Sequence, residues 1–261
     1  MKFHRVLALL EKFYFITIGR LDRMFDMFYW PILDIFTWGF FTFYVQYLSD
    51  INTMSILLGG LILWVFTWKG SQEVALFVLE DFWARNLYNT FTSPLKDSEI
   101  ILANVLFGLL RTLVSFFFML LIARLLYRYT IFEIPWHYLA ILISGLTLFG
   151  WAIGLFIVGL IFRFGKRIQV FAWSAAWAVQ PFSCVFYPLA ALPQWAQNIA
   201  VWFPTTHMFE ALRAILAGTP ILWNNVIFAF ILSLALMLCT AYFMVISLKK
   251  AKQSGILTRY D

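Results

Sequence analysis

Charged side chains are scarce in this sequence: Asp, Glu, Lys and Arg make up 12% of its 261 residues, while 63% are apolar. Soluble domains run nearer a quarter charged and half apolar, so a freely soluble domain is excluded. Cysteine is almost missing. Cys184 and Cys239 both sit in apolar context, and neither a disulfide framework nor a metal site is expected from them. The three histidines, His4, His137 and His207, lie far apart, with no HExxH or CxxC beside them; no catalytic or metal-ligating constellation is readable. No GxxxxGK[ST] loop occurs either. Gly165-Lys166 is followed by Arg167 instead of Ser or Thr, and Gly159 is out of register. The chain thus has no P-loop of its own, and a second subunit would have to supply energy for any driven work. The short apolar–polar alternation of a membrane β-barrel is also missing. The first 23 residues carry charge throughout and lack a small-residue cleavage site, so no cleavable signal peptide is expected.

What is present is a series of long, nearly charge-free blocks. Each is close to the roughly 20 residues a helix needs to cross a bilayer, and in hydrocarbon a helix satisfies its own backbone. The expected fold is an all-α integral membrane protein with six transmembrane helices, at about 25–48, 53–79, 100–126, 136–162, 168–187 and 222–247. Three other segments differ. In residues 2–23, Phe3, Val6, Leu7, Leu10, Phe13 and Tyr14 follow the spacing of one helical face, with Lys2, Arg5, Glu11 and Lys12 elsewhere; this predicts an amphipathic interfacial helix. Residues 80–99 are polar. Residues 188–220 hold Pro188, Pro193, Pro204 and Pro220 among Trp, Phe and Leu, too broken for a lipid-facing helix and too apolar for a free loop. A re-entrant or interfacial helix pair is expected there.

Six spans put both termini on one side. The N-terminal, 80–99, 163–167 and C-terminal segments hold 14 Lys and Arg, the opposite side only Arg124, Arg128 and Arg213, with Lys69 and Arg111 inside spans. The positive-inside rule then makes both termini cytoplasmic. The same bias accounts for the net charge of +6 without a nucleic-acid partner.

Asp34, Lys69, Glu73 and Arg111 fall within or near spans, where charge is costly and faces the bundle interior. Lys69 and Glu73, one turn apart, can pair with each other, as a gating element or as a snorkelling pair at a helix end. Trp38, Trp64, Trp68, Trp173 and Trp177 sit deep in their spans; an aromatic-lined pathway and ordinary lipid-facing bulk are both open. Gly150 and Gly154 form a GxxxG that permits close helix packing. In the polar segment, Phe82, Trp83, Leu87 and Phe91 can share a helical face, Pro94 breaks the helix, and Asp97 or Ser98 can cap the next one. A short amphipathic helix of this kind suits docking into a groove on a partner.

The order of a surface helix, two spans, a cytoplasmic helix ending in Ser93-Pro94-Leu95-Lys96-Asp97-Ser98-Glu99-Ile100, three spans, a proline-broken segment and a last span resembles the ABC-2 type permeases. Phe186-Tyr187-Pro188 with Leu192-Pro193-Gln194-Trp195 resembles that family's fifth-helix end and re-entrant helix. Pro204-Thr205-Thr206-His207 through Glu210 and Arg213 resembles its Asn-Pro-Leu…Glu…Arg signature, with Phe203 where the family usually has Asn. The resemblance covers the whole chain as one transmembrane domain. It implies the membrane subunit of an ABC exporter in a cell (inner or plasma) membrane, as a homodimer or a heterodimer with a similar permease, carrying two ATP-binding subunits. Those partners would hold ATP-Mg, this chain binding no cofactor. They would dock on a coupling region that includes Asp81, Phe82, Arg85, Asn86, Phe91 and Pro94. Asp34, Trp38, Lys69, Glu73, Arg111, Glu210 and Arg213 are the pathway or gating candidates. A non-transporting membrane scaffold is the alternative.

Overall fold

The computed structural model describes residues 3–48, 54–84, 86, 89–90 and 93–254. Among them every regular element is helical: α1 Phe3–Ile18, α2 Leu21–Leu48, α3 Met54–Trp83, α4 Asp97–Tyr127, α5 Trp136–Phe164, α6 Phe171–Val179, α7 Gln194–Ala200, α8 Pro204–Ala217 and α9 Trp223–Ser254. Four stretches are long and apolar enough to cross a membrane: Met54–Trp83, Ser98–Tyr127, Trp136–Phe164 and Trp223–Gln253. The other two expected spans are different in kind. α2 has the length, with 28 residues, but carries Asp22, Arg23, Asp26 and Asp34 among its aromatics. The fifth is a nine-residue helix, α6, set between 3-10 turns at Gly165–Ile168 and Gln180–Phe182. Pro181 in the second turn has no N–H to continue an α-helix.

α3 is the axis of the molecule. Every residue from Leu57 to Asp81 is buried, the pattern of a helix enclosed on all sides. α5 packs along it through Gly150 and Gly154. A Cβ on Gly150 would stand 2.7 Å from the Phe66 carbonyl oxygen, and one on Gly154 2.8 Å from that of Ser71. The helices approach this closely because those two positions lack side chains. α9 packs on the far side of α5, where Gly159 faces Phe243 and Met244.

α2 and α4 cover another flank. Pro31 inside α2 leaves the carbonyl of Met27 without its helical donor; the Ser115 hydroxyl of α4 donates to it at 3.1 Å. Three further α2 carbonyls are held from outside. Arg111 Nη2 donates to Arg23, Lys69 Nζ to Asp26 and Tyr127 OH to Ile35, at 3.2, 3.1 and 3.3 Å. Neighbouring helices thus satisfy a proline-weakened helix, the usual arrangement at membrane depth.

α1 ends at Ile18, before Gly19, a poor helix former. A new helix starts at Leu21, so residues 21–23 belong to α2 and not to the surface helix as expected. The Arg20 guanidinium hydrogen-bonds Asp22 at 2.8 Å and holds its carboxyl below the usual value. The expected apolar face of α1 divides in two. Val6, Leu9 and Phe13 pack on Phe77, Ile100, Ala103 and Phe107, while Phe3, Leu7, Tyr14, Phe15 and Ile18 stay exposed.

α3 continues unbroken through Trp83, so Asp81 and Phe82 lie in its last turns. α4 is capped differently from expectation. Lys96 is the cap residue, its backbone N–H held at 3.0 Å by Glu99, and Asp97 already lies within the first turn.

Residues 188–220 form a helix pair. Pro193 precedes α7, Pro204 opens α8, and Gly218 closes α8 at φ 66°, a left-handed position glycine adopts without strain. Phe203 makes no side-chain cap for α8. Its ring instead stacks on Phe182 at 6.1 Å and meets Phe149 edge-on at 6.2 Å.

Candidate functional site

Lys69, Glu73 and Glu80 are spaced four and seven residues apart, which puts them on one stripe of α3. Each finds an opposite charge on a neighbouring helix. Lys69 Nζ is 2.7 Å from Asp26 of α2, Glu73 is 2.9 Å from Arg111 of α4, and Glu80 is 2.7 Å from Arg23 of α2. The expected Lys69–Glu73 pair does not form, because each side chain points to a different neighbouring helix. Three cations meet three anions, so the stripe is neutral, as burial demands. Asp34, further along α2, is half-buried and forms no ion pair with a described residue. Trp38 stacks on Phe186 with ring centroids 3.6 Å apart, joining α2 to the turn that follows α6.

At the end of α3 the stripe meets the polar segment. Asp81 is buried there and accepts from Lys12 of α1 at 2.8 Å and from Thr90 at 3.0 Å. The Asn86 N–H donates to the Asp81 carbonyl at 2.9 Å, and the Asn86 carbonyl accepts from Thr90 at 3.1 Å. Phe82 is half-buried against the apolar cluster that α3, α5 and α9 build together. Pro94 is exposed, and its carbonyl accepts from the Arg5 guanidinium. Arg5 also faces Glu99 at 3.6 Å. Arg85 and Phe91 lie outside the described residues. α1 therefore holds the segment at both ends, through Lys12 and through Arg5. Arg23 lies over the Trp83 ring at 5.2 Å, and Trp83 donates to Gln169 at 3.1 Å. These contacts tie the same end of α3 to α2 and to the start of α6.

At the opposite end, Glu210 and Arg213 of α8 pair at 2.8 Å. Their remaining bonds are to backbone. Glu210 accepts the Leu189 N–H at 2.7 Å, and Arg213 donates to the Cys184 carbonyl at 2.8 Å. Thr206 donates to the Phe182 carbonyl and Thr205 to Ser183, both at 2.9 Å. Cys184 sits at φ 53°, a conformation costly for a side-chain-bearing residue. α8 thus latches the turn after α6, and Val185 presses its carbonyl against Gly60 of α3.

Between α2, α3 and α6 lies a groove of about 500 Å³ lined by Trp30, Trp68, Trp173, Trp177, Gln72, Val170 and Ser174. Of the deep tryptophans, Trp68, Trp173 and Trp177 converge here. Trp64 instead packs in the core near Phe209.

The ABC-2 type transporter family matches residues 18–217. This chain belongs to that family. No curated protein matched the sequence. An ABC-2 type chain is a membrane-embedded transport permease component and not itself the catalyst, and four helices long and apolar enough to cross a membrane agree with its place in a membrane.

Sequence reasoning missed Arg23, Asp26 and Glu80 as partners in this ABC-2 domain, because they fall at or beyond the expected span ends. The available signal was the four- and seven-residue spacing from Lys69 to Glu80. Nothing in the sequence separates Gln72 from any other span residue, since its place in the groove depends on α2 and α6 folding back beside it.

Proposed function

We propose that this chain is the membrane-spanning permease of an ATP-driven exporter. It works as a homodimer, or with a similar permease, and translocation runs between the two copies. Separate ATP-binding subunits, holding ATP-Mg, dock on the 82–91 segment. α2 and the α6 region complete six spans in a cell (inner or plasma) membrane with both termini cytoplasmic, and the 188–220 pair dips in from the outer face. The supporting observation is the double clamp on the α3–α4 connection. Lys12 with Asp81 and Thr90 holds one end, and Arg5 with Pro94 and Glu99 the other. A push on this connection is passed directly to α3, whose charged stripe links it to α2 and α4.

Affinity purification of the tagged full chain tests the reading. An ATP-binding subunit should come with it, and the chain alone should hydrolyse no ATP. Arg85→Glu or Phe91→Ala should weaken that association. A complex that keeps full coupling after deletion of residues 82–91 would show that docking lies elsewhere. A chain that works with no ATPase would favour the scaffold alternative.

A further inference from the structure

A cleft of about 320 Å³ lies between α8 and the start of α9, lined by His207, Glu210, Arg213, Thr219 and Asn225. It has room because the α8 wall also carries Ala214 and Ala217. His207 and Glu210 are three residues apart on α8, so their side chains are neighbours on one face. The His207 ring is fixed from two sides. Nε2 stands 2.9 Å from the Val201 carbonyl oxygen, and the ring meets Phe228 edge-on at 5.5 Å. A carbonyl only accepts, so Nε2 carries the proton and the neutral ring keeps its lone pair on Nδ1. Glu210 uses Oε1 for both of its bonds, from the Leu189 N–H and from the Arg213 guanidinium. Its Oε2 is left free, in a side chain 37% exposed. Arg213 is already engaged, with Nη1 on the Cys184 carbonyl and Nη2 on Glu210. An imidazole nitrogen and a carboxylate oxygen thus share one helical face in one cleft, each with a lone pair to give. Glu and His three apart on a helix is a spacing from which helical bundles ligate metals. A backbone carbonyl on the far ring nitrogen is the usual mark of a ligating histidine.

We infer that this cleft binds a divalent first-row cation of the zinc type. His207 Nδ1 and Glu210 Oε2 supply the two strong ligands, and Asn225 supplies its amide oxygen from α9. Among the described residues no third His, Cys, Asp or Glu joins them, so water completes the set. Imidazole suits zinc and its neighbours in the first row, whereas magnesium and calcium take oxygen ligands. An anion would face the free carboxylate oxygen, with the guanidinium beside it already paired. An apolar ligand would leave both lone pairs without a partner. The bound ion ties α8, which latches the turn after α6, to the first turn of α9. The site stands on these side chains alone and goes beyond the permease reading.

The test uses the full chain in lipid nanodiscs, purified on a histidine-free tag and stripped with a chelator. Zinc chloride is titrated by calorimetry, with magnesium chloride in parallel. Saturable binding of one zinc per chain is expected, with magnesium at least about tenfold weaker. His207→Ala and Glu210→Gln should each weaken zinc about tenfold or more, the scale of losing even a supporting contact of a bound metal. His4→Ala and His137→Ala should leave it unchanged. Glu210→Gln also touches the latch, so a variant that gains a ligand stands beside it: Asn225→His, an imidazole in place of an amide, should tighten zinc about tenfold. Zinc should raise the melting temperature of the parent chain and not that of His207→Ala, since only a ligand of the folded state stabilises it. No saturable zinc binding overturns the inference. So does zinc binding that His207→Ala leaves intact, magnesium binding as tight as zinc, or an Asn225→His chain that binds zinc no tighter than the parent.

Discussion

Arg111 Nη1 stands 2.9 Å from Glu73 Oε2, and the two side chains are 4% and 1% exposed. They come from helices that leave opposite ends of the 80–99 segment. With Lys69–Asp26 and Arg23–Glu80 they make the interior of the bundle electrically neutral where α2, α3 and α4 meet. Such pairs do not by themselves stabilise a fold, since desolvation offsets their attraction, but each fixes which face of one helix meets which face of another.

Breaking one pair should therefore be far worse than removing it whole. Arg111→Met leaves a buried carboxylate and is expected to cost about 3–5 kcal/mol; Glu73→Gln alone should also destabilise. The double variant should recover most of the loss. Thermal unfolding in nanodiscs reads this directly, and a double variant no better than Arg111→Met would contradict a specific pairing.

The glycines of α5 offer a test of the close approach to α3. Gly150→Ala places a methyl 2.7 Å from the Phe66 carbonyl oxygen, so α5 has to move. A loss of about 1–3 kcal/mol is expected, the usual cost of overpacking. Gly70→Ala, where an added Cβ would meet no described atom beyond its own stretch of helix within 4 Å, should be neutral or stabilise by about 0.5–1 kcal/mol through helix propensity. Equal stability of the two variants would argue against α3–α5 contact at Gly150.

The α8 latch predicts a change in reactivity. Cys184 is buried beneath Arg213. Arg213→Ala frees the Cys184 carbonyl, and Glu210→Ala frees the Leu189 N–H. In a Cys239→Ser background, either should speed maleimide labelling of Cys184 about tenfold, the signature of a locally less stable turn. Unchanged labelling in both would remove the latch.

Much of this was legible in the residues. The apolar blocks announce α3, α4, α5 and α9, because membrane-spanning length and composition are local properties. Arg111 as an interior charge was legible too, from the cost of leaving it in lipid. The partners were not. Lys69 has Glu73 one turn away in sequence, yet bonds Asp26, because a helix with neighbours all round directs its side chains by packing and not by spacing. The fifth block reads as a continuous span, yet folds as a short α6 between tight turns, with Pro181 in the second.

The sequence by itself determined that the chain is helical and lives in a membrane, and where its long helices run, because hydrocarbon imposes those demands segment by segment. Only the tertiary structure decided what the polar residues do. It pairs Asp26, Arg23 and Arg111 with the α3 stripe, turns Glu210 and Arg213 into a backbone latch, and anchors the 80–99 segment to α1. Those outcomes depend on which helix faces meet, and segments far apart in the chain set them together.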